Sequence, residues 1–201
     1  MTQPSQKFPI YAIIFGTLSL TLFFTIFFFN AAMTTSKKLP VLGQVAAFKM
    51  TDSEENTFTS AQLRGKVWVA NFFFTTCSDI CPMMSKHMLI LHKSFILESG
   101  LMLVSFSVNP EFDNAAVLKT YAKKYEADTK KWIFLTAKRE EIQKLAIGSF
   151  KMGAINEPVF HSSYFALVDR NGYIRGYYDG TKEDYVNTLY TAAKILLKER
   201  W

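Results

Sequence analysis

Apolar and polar positions divide this chain into a charge-free stretch near the N-terminus and a longer region where short apolar runs alternate with amphipathic ones. From Pro9 to Phe29, PIYAIIFGTLSLTLFFTIFFF carries no charge over about twenty residues, enough for a helix to cross a bilayer core of roughly 30 Å. Asn30 to Gln44, NAAMTTSKKLPVLGQ, is small and polar and is interrupted by Pro40 and Gly43, the composition of a tether. AAFKMTDSEENTFTSAQLRGK then predicts a hairpin with its turn at Asp52 to Asn56, leading to a second turn at Gly65 and Lys66.

VWVANFFF, Val67 to Phe74, is apolar on both faces and so predicts a central strand covered by helices on each side. MMSKHMLILHKSFILES places Met84, Met88, Leu91 and Phe95 at helical spacing, ending before Gly100. LMLVSFSV is a second buried strand, and DNAAVLKTYAKKYEA a helix with Asp113 or Asn114 as its cap. KWIFLTA (strand), KREEIQKLAIGSF (helix) and SSYFALVD (strand) follow, then GYIRGYYDG as a hairpin partner across RNG, and KEDYVNTLYTAAKILLKER as a closing amphipathic helix. The predicted organisation is a short segment 1–8, a transmembrane helix 9–29, a linker 30–44 and one domain 45–201. Strands alternating with helices make that domain α/β, and the terminal antiparallel hairpin makes its sheet mixed.

A cleaved signal peptide is the competing reading of the first apolar stretch, and NAAMTTS offers small residues to a peptidase; signal-peptide apolar regions, however, run to about 7–15 residues. A lipoprotein signal is excluded because no cysteine lies there. Lys7 precedes the stretch, whereas Lys37 and Lys38 follow it, so the positive charges do not favour an outer location for the domain. The absence of an Arg-rich, Ser-rich leader argues for a bacterial chain over an imported organellar one. The net charge of +6 is dispersed, with no basic block interleaved with aromatics, so no nucleic-acid partner is expected.

The only two cysteines, Cys77 and Cys81, stand together in FFFTTCSDICPMMSKHM, directly after the first buried strand. A helix beginning between Asp79 and Pro82, capped by Ser78 or Asp79, would place Cys77 just before it and Cys81 in its first turn. The positive end of the helix dipole favours thiolate there, so at least one sulfur is expected to be more acidic than a free cysteine. Such a pair can cycle between dithiol and disulfide or hold a soft metal ion. A static staple across so short a loop removes little unfolded-state entropy, and two buried core thiols are the other bland alternative. An imidazole would complete a three-coordinate copper site. His87 and His92 point away from the first helical turn and read as solvated; His161, in EPVFHSSYFALVD, starts a strand after an irregular stretch, where surface and packing roles compete with ligation. Met83, Met84 and Met88 read as core rather than thioether ligands.

GKVWVANFFFTTCSDICPMMSKHM resembles the C-x-x-x-C-P segment of the SCO/SenC family, and SVNPEFD and HSSYFALVDRNGYIRGYY resemble later segments of the same family. The resemblance implies a thioredoxin-like fold with an N-terminal β-hairpin extension and a membrane anchor. It also implies a role in supplying copper, as Cu(I) or Cu(II), to the dinuclear centre of cytochrome c oxidase. By it, Cys77 and Cys81 are the thiolate ligands and His161 the imidazole ligand. The implied partners are the oxidase's copper-binding subunit and other copper chaperones or thiol-disulfide proteins. The implied location is the bacterial cytoplasmic membrane with the domain on the periplasmic or outer face, or alternatively the mitochondrial inner membrane. The alternative function is a thiol-disulfide reductase keeping that subunit's cysteines reduced, in which Cys77 and Cys81 are catalytic; a redox-sensing or peroxide-defence role ranks below both. Asn109 stands where members commonly have aspartate, a change that removes a negative charge and no ligand, while Asp113 is retained.

Overall fold

The computed structural model describes residues 10–33, 38–153 and 162–199 of the 201-residue chain. The chain divides into two units, Met1–Lys38 and Leu39–Trp201.

The first unit contains helix α1, Ile10–Met33. Its described side chains, those of residues 14–28, expose Phe15, Leu18, Leu22, Phe23 and Phe27 around the helix. The hydroxyls of Thr17, Thr21 and Thr25 bond back to carbonyls one turn earlier, for example Thr21 to Thr17 at 3.0 Å. These three hydroxyls are thus satisfied within the helix. Counting described residues alone, no helix is long and apolar enough to cross a membrane.

The second unit is built on an eight-stranded mixed sheet. Its strands in chain order are β1 (Gly43–Gln44), β2 (Lys49–Asp52), β3 (Thr57–Thr59), β4 (Val67–Phe73), β5 (Leu101–Ser107), β6 (Trp132–Thr136), β7 (Tyr164–Val168) and β8 (Tyr173–Asp179). Their order across the sheet is β1-β8-β7-β4-β5-β6-β2-β3. β4 lies between β5, parallel to it, and β7, antiparallel. Every residue of β4 and β5 is buried, as their largely apolar character demands of strands covered on both faces.

The pleat sends alternate side chains of β4 into two cores. Val67, Val69 and Phe73 join Met84, Met88 and Leu91 of α2 (Cys81–Ser94), Leu118 and Tyr121 of α3 (Ala115–Lys124), and Val186, Leu189 and Leu196 of α5 (Glu183–Lys198). Trp68, Ala70 and Phe72 pack on the other face with Leu63, Ile142, Leu145 and Phe150. Asn71, in the middle of β4, is buried and accepts a 2.6 Å bond from Ser105 on β5, whose hydroxyl in turn accepts from the Trp132 indole at 2.8 Å. That closed network offsets the cost of a polar group in the sheet interior.

Three features depart from the sequence pattern. β1 lies inside the stretch read as a linker: Gly43 and Gln44 pair with Ile174 and Tyr173 of β8. The helix expected over 138–150 begins as α4, Arg139–Gln143, and widens into a π-helical turn over Lys144–Ser149, closed by Phe150 N–H to Leu145 O at 3.2 Å. The wider turn keeps Leu145, Ala146 and Phe150 against the sheet. In the β7–β8 hairpin, Leu167 faces Gly176 but Val168 faces Ile174, so Arg175 is an extra residue in a bulge. Its guanidinium meets Asp169 at 2.9 Å, Glu199 at 3.2 Å, and the carbonyls of Leu39 and Pro40, fixing the point where the compact unit begins. Gly172, at φ +83°, makes the tight turn of that hairpin, a backbone region that favours glycine.

Candidate metal centre

β4 ends at Phe73, and the chain turns through Phe74–Ile80 before α2 begins at Cys81 with Pro82 next in its first turn. The site therefore sits at the carboxyl end of a central parallel strand and the amino end of a helix, where open α/β sheets form sites. Cys77 N–H donates to Phe74 O at 3.2 Å, closing the turn. The N-cap is Ile80, in helical conformation, and neither Ser78 nor Asp79 caps the helix; both are exposed. The expectation of a side-chain cap is corrected: the helix continues directly from a helical Ile80, whose carbonyl accepts from Met84 N–H at 3.0 Å.

Both thiols are free, 8% and 4% exposed for Cys77 and Cys81, and lie in the same core close enough for each to act on the other. Burial pushes the Cys81 thiol up to about 12, with the neighbouring Cys77 and the Asp79 carboxylate acting in the same direction and a backbone hydrogen bond at Phe74 opposing them. Cys81 is thus less acidic than a free cysteine, so of the pair it is not a sulfur made more acidic by the helix dipole. Desolvation in the core outweighs the dipole in this first turn. Cys81 shares that core with Phe73 and Tyr121, whose rings lie 5.0 Å apart, and Tyr121 is held by a 2.8 Å bond with Ser85.

A buried carboxylate lies behind the turn. Asp113, 0% exposed, accepts from Thr75 N–H at 3.0 Å, from the Thr75 hydroxyl, and from the Ser107 hydroxyl at 2.6 Å. Ser107 Oγ in turn accepts from Asn109 N–H at 3.1 Å, and the Asn109 carbonyl accepts from Phe112 and Asp113 N–H. Asn109 thereby shapes the turn after β5 through its backbone. Asp113 is not the cap of α3; Asn114 is, accepting from Val117 N–H at 3.1 Å. The sequence reading missed the roles of Asp113, Thr75 and Ser107. The available signal was a small polar residue at or just beyond the end of each of two largely apolar strands.

His161 lies outside the described residues. Among the described residues, no group of three His, Cys, Asp or Glu side chains is placed to hold a metal ion. The other histidines are not the solvated residues the spacing suggested. His87 is half-buried, its Nδ1–H donating to Gly180 O at 2.7 Å. His92 is buried against Trp132, and its Nε2 accepts from Asp128 N–H at 3.1 Å. Neither faces the thiols because carbonyl and amide partners elsewhere hold their rings. Met84 and Met88 are core, as read; Met83 is exposed.

A dithiol at the junction of a buried central strand and a helix, in a mixed α/β domain, defines a thioredoxin-like protein. Within that class the chain belongs to the SCO1/SenC family, whose model matches residues 39–195. It is similar to the SCO1 protein homolog of Bacillus subtilis, 32% identical over 169 residues, which are 79% of this chain and 87% of that protein. The solved structure of BsSco, described as a member of the Sco family of cytochrome c oxidase assembly proteins with a disulfide switch, superposes with a TM-score of 0.71. It is 32% identical, over 81% of this chain and 98% of that one. Yeast Sco1 with copper bound has a TM-score of 0.60, with 25% identity over 77% of this chain and 90% of that one.

Proposed function

We propose that this chain is a membrane-tethered copper chaperone that takes copper through Cys77, Cys81 and His161 and passes it to the dinuclear copper centre of a cytochrome c oxidase subunit. The observation that carries the reading is the pair of free thiols held within reach of each other at the strand–helix junction. Two thiolates and an imidazole form a soft donor set that suits copper, and a low-coordination site suits its transfer by ligand exchange. Copper must displace the thiol protons, so uptake by the buried pair is coupled to proton release.

His161 is the proposed third ligand because the residues that follow it lead to the same end of the sheet. β7 runs antiparallel to β4, and Ser163 O accepts from Gly180 N–H at 2.6 Å. Gly180 is packed so closely that an added Cβ would lie 2.9 Å from Met84 Cε, in the first turns of α2. The proposed anchor is the charge-free stretch Pro9–Phe29, with the copper domain on the outer face of a bacterial cytoplasmic membrane. α1 as a whole, 24 residues, is about 36 Å long at 1.5 Å per residue, more than a bilayer core of roughly 30 Å.

His161→Ala in the full chain tests the ligand set. Copper affinity is expected to fall by a hundredfold or more, while the dithiol still reduces a disulfide-bonded partner peptide. Wild-type copper affinity in that variant would contradict the three-ligand site. The second reading, a thiol-disulfide reductase acting through Cys77 and Cys81, is favoured by the mutual proximity of the thiols, and by it the same variant would retain full function in oxidase assembly.

A further inference from the structure

Among the described residues Asp113 has no charge partner, yet it is wholly buried with both carboxylate oxygens committed to hydrogen bonds. Burying a carboxylate is costly unless several donors meet it. Here the donors come from two places: Thr75, two residues before Cys77, supplies its N–H and its hydroxyl, and Ser107, the last residue of β5, supplies a hydroxyl. A third segment is added when Ser107 Oγ accepts from Asn109 N–H.

The two cysteines are held by different means. Cys81 is set by α2, whose first turn is packed in the core through Met84. Cys77 lies outside the helix, on the turn closed by its own N–H to Phe74 O, and Asp113 grips that turn at Thr75. The relative position of the two sulfurs therefore depends on a rigid helix on one side and on the Asp113 clamp on the other.

We propose that Asp113 is a positioning residue for Cys77: by fixing both polar groups of Thr75 to the end of β5, it holds the Cys77 sulfur against Cys81. The inference deepens the proposed function, since either copper ligation or disulfide exchange requires the two sulfurs together. Loosening the clamp lowers the effective concentration of one thiol at the other.

The test is the thiol–disulfide equilibrium of the metal-free full chain in detergent against glutathione. In that reaction glutathione disulfide accepts two electrons, Cys77 and Cys81 lose two protons and form one S–S bond, and two glutathione thiols are released. Asp113→Asn keeps the shape but turns an amide NH2 toward hydroxyl and N–H donors. It is expected to shift the equilibrium at least tenfold toward the dithiol, about 30 mV for a two-electron couple. Thr75→Val, losing only the hydroxyl bond, is expected to shift it several-fold in the same direction, and Thr75→Ser, which retains both bonds, to stay within twofold of wild type.

Arg175→Lys loosens the fold at the β7–β8 hairpin without touching this turn, and is expected to leave the equilibrium within twofold; a shift equal to that of Asp113→Asn would mean that general destabilisation is responsible and would overturn the proposal. So would a folded Asp113→Asn protein with the wild-type equilibrium. If Asp113→Asn does not fold, Thr75→Val against Thr75→Ser decides, and equal equilibria in those two would overturn it. Because no metal is present, failure of the His161 ligand reading leaves this measurement untouched, and its failure leaves copper affinity in His161→Ala to be judged separately.

Discussion

Cys81 shows a helix terminus and a hydrophobic core competing for one sulfur. The dipole and the first-turn amides favour thiolate, but the core in which Cys81 lies with Phe73, Met84 and Tyr121 disfavours any charge, and the core prevails. His92 shows the same balance in an imidazole: burial holds it below its ordinary value of 6.5, with the Asp128 carboxylate only partly opposing and Lys131 and Lys93 assisting. Its sign follows from proton uptake. The unfolded chain binds a proton at His92 near pH 6.5 while the folded chain does so only at lower pH, so stability is lost as pH falls below that value. Urea midpoints are expected to decline between about pH 7 and pH 5. The decline is expected to be shallower in His92→Gln, which keeps an acceptor for Asp128 N–H but cannot titrate; identical slopes would contradict this role.

At the scale of elements, α2 carries the site because its apolar stripe is seated before any ligand is considered. Met88 is fully buried in the core formed with α5 and the sheet. Met88→Ala is expected to lower unfolding free energy by about 2–5 kcal/mol, measured by urea denaturation. The elements whose signal is local were legible in the sequence. The largely apolar runs of β4 and β5 announced central strands, and the spacing of Met84, Met88 and Leu91 announced the inner face of α2. What was hidden depends on long-range partners. Gly43 and Gln44 have no strand pattern of their own and become β1 only because β8 offers them an edge. Asp113 looked like a helix cap because Asp and Asn both cap well. Its true role needs Thr75 and Ser107, on segments brought together only by the pairing of β4 with β5. The burial of His92 was equally invisible to helical spacing, since Trp132 and Asp128 come from a different part of the chain.

At the scale of the whole molecule, the proposed site joins three residues that the sequence keeps apart, two at one strand–helix junction and a third just before β7. The thiol pair is in place in the structure, and the proposed imidazole comes from the segment whose continuation, Ser163, bonds to Gly180 beside α2. Copper-edge X-ray absorption of the copper-loaded full chain tests this most directly, because it counts ligands by element. Two sulfur ligands and an imidazole nitrogen are expected in wild type, with the imidazole scattering lost in His161→Ala and the sulfurs retained. Imidazole scattering undiminished in His161→Ala, or a copper shell without two sulfurs in wild type, would contradict the proposed site.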